Sequence, residues 1–322
     1  MNEDPELLIN DQWIVSMRGN KNPVDPQRPY GWLVEKERTI SGKIEDTGII
    51  FLTDCECPFH CLMCDLWKNT TDESVAAGSI PNQIEWALEQ MPAVKHLKLY
   101  NSGSFFDRRA VPEKDYKSIA SIVKDFEAVI VESHPKLINE KCLNFRNMLK
   151  PDLHVALGLE TVHPEILRKL NKQMTVDDFS SSVSFLTKHG ISTRAFILLR
   201  PPLLSESEGI HWAERSIDFA FSSGVECCTI IPVRAGNGAM DELMEKGYFS
   251  LPDIQSLETV LEYGIGLNAG RVFADVWDLD LFSKCKKCID KRIERLVSMN
   301  LSQKIGTAVK CECNKERRTF TE

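Results

Sequence analysis

The chain has 322 residues, 43% hydrophobic and 27% charged, a balance that suits a globular chain with a buried core and not a disordered one. A net charge of −8 argues against a broad electrostatic footprint on nucleic acid, which draws on many Lys and Arg contacts. No apolar run reaches the roughly 20 residues of a membrane span, and the acidic start Met1-Asn2-Glu3-Asp4-Pro5 lacks the basic and apolar stretches of a secretory signal, so a cytoplasmic location with no membrane span is expected.

Residues 1–43, rich in Pro and charge around Asn22-Pro23-Val24-Asp25-Pro26, show no strong period and read as an N-terminal extension. From 44 to 250, short apolar runs alternate with longer amphipathic segments. The runs 48–53, 94–100, 128–132, 153–159, 193–199 and 226–233 have the character of strands covered on both faces. Helices are predicted over 81–90, 112–125, 139–149, 164–170, 176–188 and 208–222. Thr175 opens one with a capping-box pattern, and Gly190 and Gly224 stand where C-terminal caps belong. Six alternations predict an α/β chain with a parallel sheet, as an open sheet or an incomplete barrel. Residues 251–322 leave this rhythm and read as a C-terminal helical appendage. Its basic residues, among them Lys284, Lys286, Lys287, Lys291, Arg292 and Arg295, predict a solvated helix face.

Eleven cysteines are many for a compartment that disfavours disulfides, and clustered cysteines there point to metal or redox chemistry. Eight fall into two clusters, Cys55/Cys57/Cys61/Cys64 and Cys285/Cys288/Cys311/Cys313. Cys142, Cys227 and Cys228 read as small buried hydrophobes.

The first cluster directly follows the first predicted strand. Cys57, Cys61 and Cys64 have the spacing C-x3-C-x2-C, which lets a short loop bring three thiolates to three irons of one [4Fe–4S] cubane and leave the fourth iron open. An open iron can chelate the amino and carboxylate groups of S-adenosylmethionine. One electron then cleaves the sulfonium and yields a 5′-deoxyadenosyl radical that takes hydrogen from an unactivated C–H bond. The alternative counts Cys55 as a fourth ligand of a closed zinc knot, but zinc sites more often use paired C-x2-C hooks and only one is present. Cys55 is read as the strand's end beside the cluster.

This motif at the mouth of a parallel sheet resembles the radical S-adenosylmethionine superfamily. Asn101-Ser102-Gly103-Ser104-Phe105, Val131-Glu132-Ser133-His134-Pro135, Gly158-Leu159-Glu160-Thr161, Leu170-Asn171-Lys172 and Leu199-Arg200-Pro201-Pro202 narrow the resemblance. They are similar to the branch of the elongator catalytic subunit, the methylthiotransferases and the radical subunit of archaeosine synthase. The resemblance implies a partial (βα)6 TIM-like barrel with a [4Fe–4S] cluster and S-adenosylmethionine as cofactors. It places Asn101, Ser102 and Gly103 at the turn that meets the methionine amino group, with Lys172 toward the cofactor carboxylate. Met63 stands where the superfamily often has an aromatic residue on the adenine, and a thioether can make a soft contact with a ring. Position at strand ends makes Glu160 and Arg200 further pocket candidates, Glu160 for a ribose hydroxyl or the ammonium and Arg200 for a carboxylate or phosphate.

The resemblance also implies an external one-electron donor, a protein partner, and a nucleoside or tRNA base as substrate. A small metabolite or lipid precursor is the competing substrate class. Only nine residues follow Cys313, where methylthiotransferases carry an RNA-binding domain, so direct RNA binding stays open. Cys285, Cys288, Cys311 and Cys313 offer four thiolates from two hooks, for structural zinc, an auxiliary iron–sulfur cluster, or no metal at all. A reading of a different class makes the chain a non-catalytic zinc scaffold with an ion at each cluster. Metal counting separates the two: the scaffold predicts colourless protein with two zinc ions, the enzyme a brown protein that bleaches on reduction.

Overall fold

The computed structural model describes residues 9–314; residues 1–8 of the N-terminal extension and 315–322 of the tail lie outside the described residues. One eight-stranded sheet runs in sequence order: β1 (Gly31–Arg38), β2 (Ile44–Leu52), β3 (His96–Asn101), β4 (Ala128–Ser133), β5 (Asp152–Glu160), β6 (Ser192–Leu199), β7 (Cys227–Pro232) and β8 (Arg271–Ala274). β1 is antiparallel to β2, and every later pair is parallel. The sheet curls into a half-barrel.

α1 (Asp11–Ser16) precedes the sheet. α2 (Ser79–Gln90), α3 (Tyr116–Ile122) and α4 (Glu140–Met148) fill the first three parallel crossovers, and α5 (Pro164–Lys169) and α6 (Val176–Lys188) the fourth. α7 (Glu206–Ser222) makes the fifth, α8 (Ala239–Glu245) and α9 (Ile254–Gly266) the sixth, and α10 (Ile289–Ser302) follows β8. Thr175 and Asp178 form the anticipated capping box of α6, and Ser205 and Glu208 form another on α7. Gly190 (φ 70°) and Gly224 (φ 95°) end α6 and α7 in the left-handed region that glycine adopts without strain.

Strand alternation decides what faces where. Leu97 and Leu99, Val129 and Val131, Val155 and Leu157, and Ile197 and Leu199 point out and are buried with the helices. The opposite face points into the half-barrel and mixes charged residues with apolar ones such as Phe196 and Leu198. At its lower end Glu37 of β1 reaches Arg194 Nη2 of β6 (2.5 Å), Lys98 Nζ of β3 (2.6 Å) and Arg271 Nη1 of β8 (3.7 Å). Burial pushes the Glu37 carboxyl up, but Arg194 and Lys98 outweigh it and hold the group well below the usual carboxylate range.

The six strands anticipated between 48 and 233 are present, and two more join them. β1 comes from the stretch read as an extension and β8 from the stretch read as an appendage. Arg292 and Arg295 correct the reading of a solvated helix face: both are buried, Arg292 pairing with Glu258 and Arg295 with Glu258 and Glu262. Cys142, Cys227 and Cys228 are buried as expected. No helix among the described residues is long and apolar enough to cross a membrane.

Replacing Glu37 with Gln removes the charge that balances a buried guanidinium, and the expected loss is about 3 kcal/mol or more in urea unfolding at pH 7. A depressed carboxyl stabilises above its unfolded pKa and ceases to as pH falls below it, so wild type and variant converge toward acid pH. Lys36→Gln, which removes an exposed partner of Asp46, is the control and changes stability by less than about 1 kcal/mol.

Candidate active site

The loop after β2 carries Cys57, Cys61 and Cys64 at the open end of the half-barrel, and distant segments hold its backbone. Leu62 N donates to Leu170 O (2.9 Å), and Asn171 Nδ2 donates to His60 O (2.8 Å) and Asp11 Oδ1 (2.5 Å). Asn237 Nδ2 donates to Leu62 O (2.7 Å) and Cys64 O (3.1 Å), while its Oδ1 accepts from Met240 N (2.8 Å). A side chain at Gly238 would put Cβ 1.9 Å from Met17 O, so the N-terminal segment presses directly on this support.

The three cysteines line one cavity of about 340 Å³. Their thiols are unpaired in any disulfide, and burial pushes each up to about 12. Thiols so placed surrender their protons to a bound metal, not to water. The sulfurs of Cys285, Cys288, Cys311 and Cys313 all lie within 4.8 Å of one another, close enough for a single ion. A cubane would give each of the three cavity thiolates its own iron. Cys55 does not line this cavity. It borders a neighbouring depression with Ser74 and Arg109, on whose wall Cys57 also lies.

Met63, Ser102, Gly103, Glu160 and Lys172 line the same cavity. Glu160 ends β5 with φ 66°, and its Oε1 takes a hydrogen bond from Lys172 Nζ at 2.7 Å. Burial pulls the Lys172 ammonium down, but Glu160 and the Cys61 thiol outweigh it and keep the group charged. A Cβ at Gly158 would fall 2.2 Å from Glu160 Oε1 and 2.5 Å from Lys172 Nζ, so only glycine leaves this pair its room. Asn101 lies just behind the cavity wall, its Nδ2 donating to Asp54 Oδ2 (2.6 Å) and its backbone N to Glu132 Oε1 (2.9 Å). Burial raises the Asp54 and Glu132 carboxyls to about 8. Arg200 is placed elsewhere, with Nη1 donating to Glu206 Oε2 (2.6 Å) and Leu251 O (2.8 Å), and it does not line the cavity.

No family model matches the chain. An uncharacterized protein of Methanocaldococcus jannaschii is 27% identical over 81% of this chain and 77% of its own length. Archaeosine synthase subunit beta of Methanosarcina acetivorans is 26% identical, covering 79% of this chain and 77% of that protein. Among solved structures, the archaeal Methanocaldococcus infernus Elp3 with its N-terminus deleted aligns with TM-score 0.50 and 15% identity, over 79% of this chain and 64% of that one. The chain is thus similar over most of its length to a protein named as a subunit of archaeosine synthase, and it shares the fold of the archaeal Elp3.

Three soft thiols on one cavity are a donor set that would hold three irons of a [4Fe–4S] cluster. Beside the Ser102-Gly103 turn, Asp54 Oδ1 and Asn101 Oδ1 are buried without a hydrogen-bond partner among the described residues, acceptors suited to an ammonium. Sequence reading missed the roles of Phe59 and Asn237. His134 is a satisfied loop histidine: it accepts from Lys136 N (3.2 Å) at Nδ1 and donates from Nε2 to Lys172 O (2.9 Å). Burial lowers it to about 3, so it stays neutral, and Phe59 stacks on it at 3.7 Å. Asn237 lies in the Gly236-Asn237-Gly238 stretch, whose glycines were the one local signal of a special backbone.

Glu132→Gln keeps the acceptor oxygen for Asn101 and removes the ionisation. The folded wild type holds its proton up to about pH 8, while the unfolded chain releases it near the ordinary glutamate value, so its stability falls as pH rises between those values. Thermal unfolding of the cluster-free protein should show equal midpoints at pH 4 and a variant more stable by about 3 °C or more at pH 9.

Proposed function

We propose that the chain is an enzyme that reductively cleaves S-adenosylmethionine at a [4Fe–4S] cluster held by Cys57, Cys61 and Cys64, then abstracts hydrogen from an organic substrate. The observation that carries this reading is the convergence of three thiols, Met63, Ser102, Glu160 and Lys172 on a single cavity. The cluster, when bound, supplies the electron that breaks the sulfonium bond, and an external one-electron donor replenishes it.

The chain's own residues bind and orient. The Ser102-Gly103 turn receives the methionyl ammonium, with Asp54 and Asn101 buried behind it. Lys172, kept cationic by Glu160, faces the carboxylate, and Met63 offers its thioether to the adenine. Phe196, Leu198 and Ile231 give the cavity an apolar wall that keeps water from a reactive intermediate.

For the substrate we favour a nucleoside, as a tRNA base presented with a protein partner. The support is the 26% identity to a protein named as a subunit of archaeosine synthase. The acidic net charge suits recognition shared with a partner better than broad RNA binding by this chain. The four-cysteine group at 285–313 lies outside this cavity, and its sulfurs stand close enough together to hold an ion of their own.

Anaerobic reconstitution with iron and sulfide should give a brown protein that forms 5′-deoxyadenosine from S-adenosylmethionine under a chemical reductant. The Cys57→Ala/Cys61→Ala/Cys64→Ala variant should lose both the colour and the product, and cleavage by that variant would falsify the assignment. Lys172→Met, made together with Glu160→Gln so that no lone carboxylate is buried, should weaken S-adenosylmethionine binding about tenfold or more in equilibrium dialysis, a difference of about 1.4 kcal/mol.

A further inference from the structure

Four cysteines outside the cavity stand in a geometry that selects its occupant. Cys285 Sγ lies 3.8 Å from Cys311 Sγ, and Cys288 Sγ lies 3.7 Å from Cys313 Sγ. All four sulfurs are within 4.8 Å of one another. Zinc–sulfur bonds of about 2.3 Å give a tetrahedron with sulfur–sulfur edges of about 3.8 Å. The thiols therefore mark the corners around one ion. A polynuclear iron–sulfur cluster divides its four thiolates among two or more irons and spreads those on different irons further apart.

The surroundings suit four thiolates around a divalent cation, which together carry net negative charge. Cys288 is the N-cap of α10, where the helix dipole favours thiolate. Arg292, one turn on, donates Nε to Cys288 Sγ at 3.4 Å and also bonds Cys313. Its guanidinium is fixed by Glu258 of α9, an outer partner of the kind that orients metal ligands.

The group sits at the head of a helix with an unusual task. β8 has only four residues, and its outer edge meets side chains of α10 where a ninth strand would lie. Gln303 Oε1 accepts from Val272 N and its Nε2 donates to Val272 O, both at 2.8 Å. Asn300 repeats the pattern on Ala274 N and O, again at 2.8 Å each. On the other side of the gap, Arg38 of β1 donates to Leu301 O (3.4 Å), and Arg38 O accepts from Arg271 Nη1 (2.5 Å). α10 thus lies along the seam between the first and last strands of the half-barrel.

We propose that Cys285, Cys288, Cys311 and Cys313 bind one zinc ion, and that this ion pins the start of α10 so that the helix seals the β1–β8 seam. The zinc closes the barrel wall and takes no part in electron transfer. The assignment stands apart from the reaction proposed for the cavity.

Metal analysis of the anaerobically purified full chain should find one zinc beside the cluster iron. The Cys57→Ala/Cys61→Ala/Cys64→Ala variant should lose iron and keep zinc, which separates this assignment from the cavity's. Cys285→Ser/Cys311→Ser should lose zinc and keep iron. Its hydrogen exchange in peptides covering 271–274 and 289–302 should quicken about tenfold or more, while β3 to β5 stay protected. Should that variant fold poorly, stripping zinc from wild type with a chelator and adding zinc back should produce and reverse the same change. Iron at this site, as one ion or as a cluster with sulfide, or no metal at all, overturns the zinc. Zinc loss with unchanged exchange over 271–274 and 289–302 overturns its sealing role.

Discussion

A carboxylate set among three cations at the closed end of a half-barrel is the constraint on which this molecule rests. Lys98, Arg194 and Arg271 project inward from β3, β6 and β8, and stranded without counter-charge they would be strongly destabilising. Glu37 supplies it from β1, with Glu35 added on Lys98 and Glu226 on Arg271. The antiparallel strand is therefore needed electrostatically as well as for its backbone pairing with β2. Glu37 ties β3, β6 and β8 to β1 from inside the half-barrel. A barrel filled with apolar side chains to the top would be easier to stabilise but would have no cavity. Charge fills the lower end, and the upper end stays open.

What the sequence made legible was local. Three cysteines at short spacing declare their chemistry because the loop that bears them is short. Six strands show as apolar runs because helices cover their outer faces. The capping box at Thr175 and the glycines at 190 and 224 are read from a few neighbouring residues. Lys172 came from motif resemblance and Glu160 from its place at a strand end, and the structure joins them as an ion pair.

What it hid was long-range. β1 reads Gly-Trp-Leu-Val-Glu-Lys-Glu-Arg, whose charged half looks exposed until the cations of β3 and β6 are placed against it. β8 is too short to carry a period. Arg292 and Arg295 resemble solvated basic residues because their partners lie some 30 residues earlier, on α9. Asn237 supports carbonyls more than 170 positions away, a relation no local pattern encodes. Arg200 shows the reverse error: its place after a strand suggested a ligand fork, but the N-terminal part of α7 and the stretch before α9 take its hydrogen bonds.

The amide clasp of Asn300 and Gln303 on β8 bears on how the protein fails. An open strand edge is a template for another chain, and proteins usually blunt it with charge, proline or a covering element. Here two carboxamides occupy the hydrogen-bonding positions of a missing strand. If α10 lifts, the newly bare edge is short and carries Val272 and Phe273. Damage that starts at the tail would then show first as self-association of molecules whose barrels remain folded. Turbidity, not loss of secondary structure, would be the early sign of ageing in a preparation.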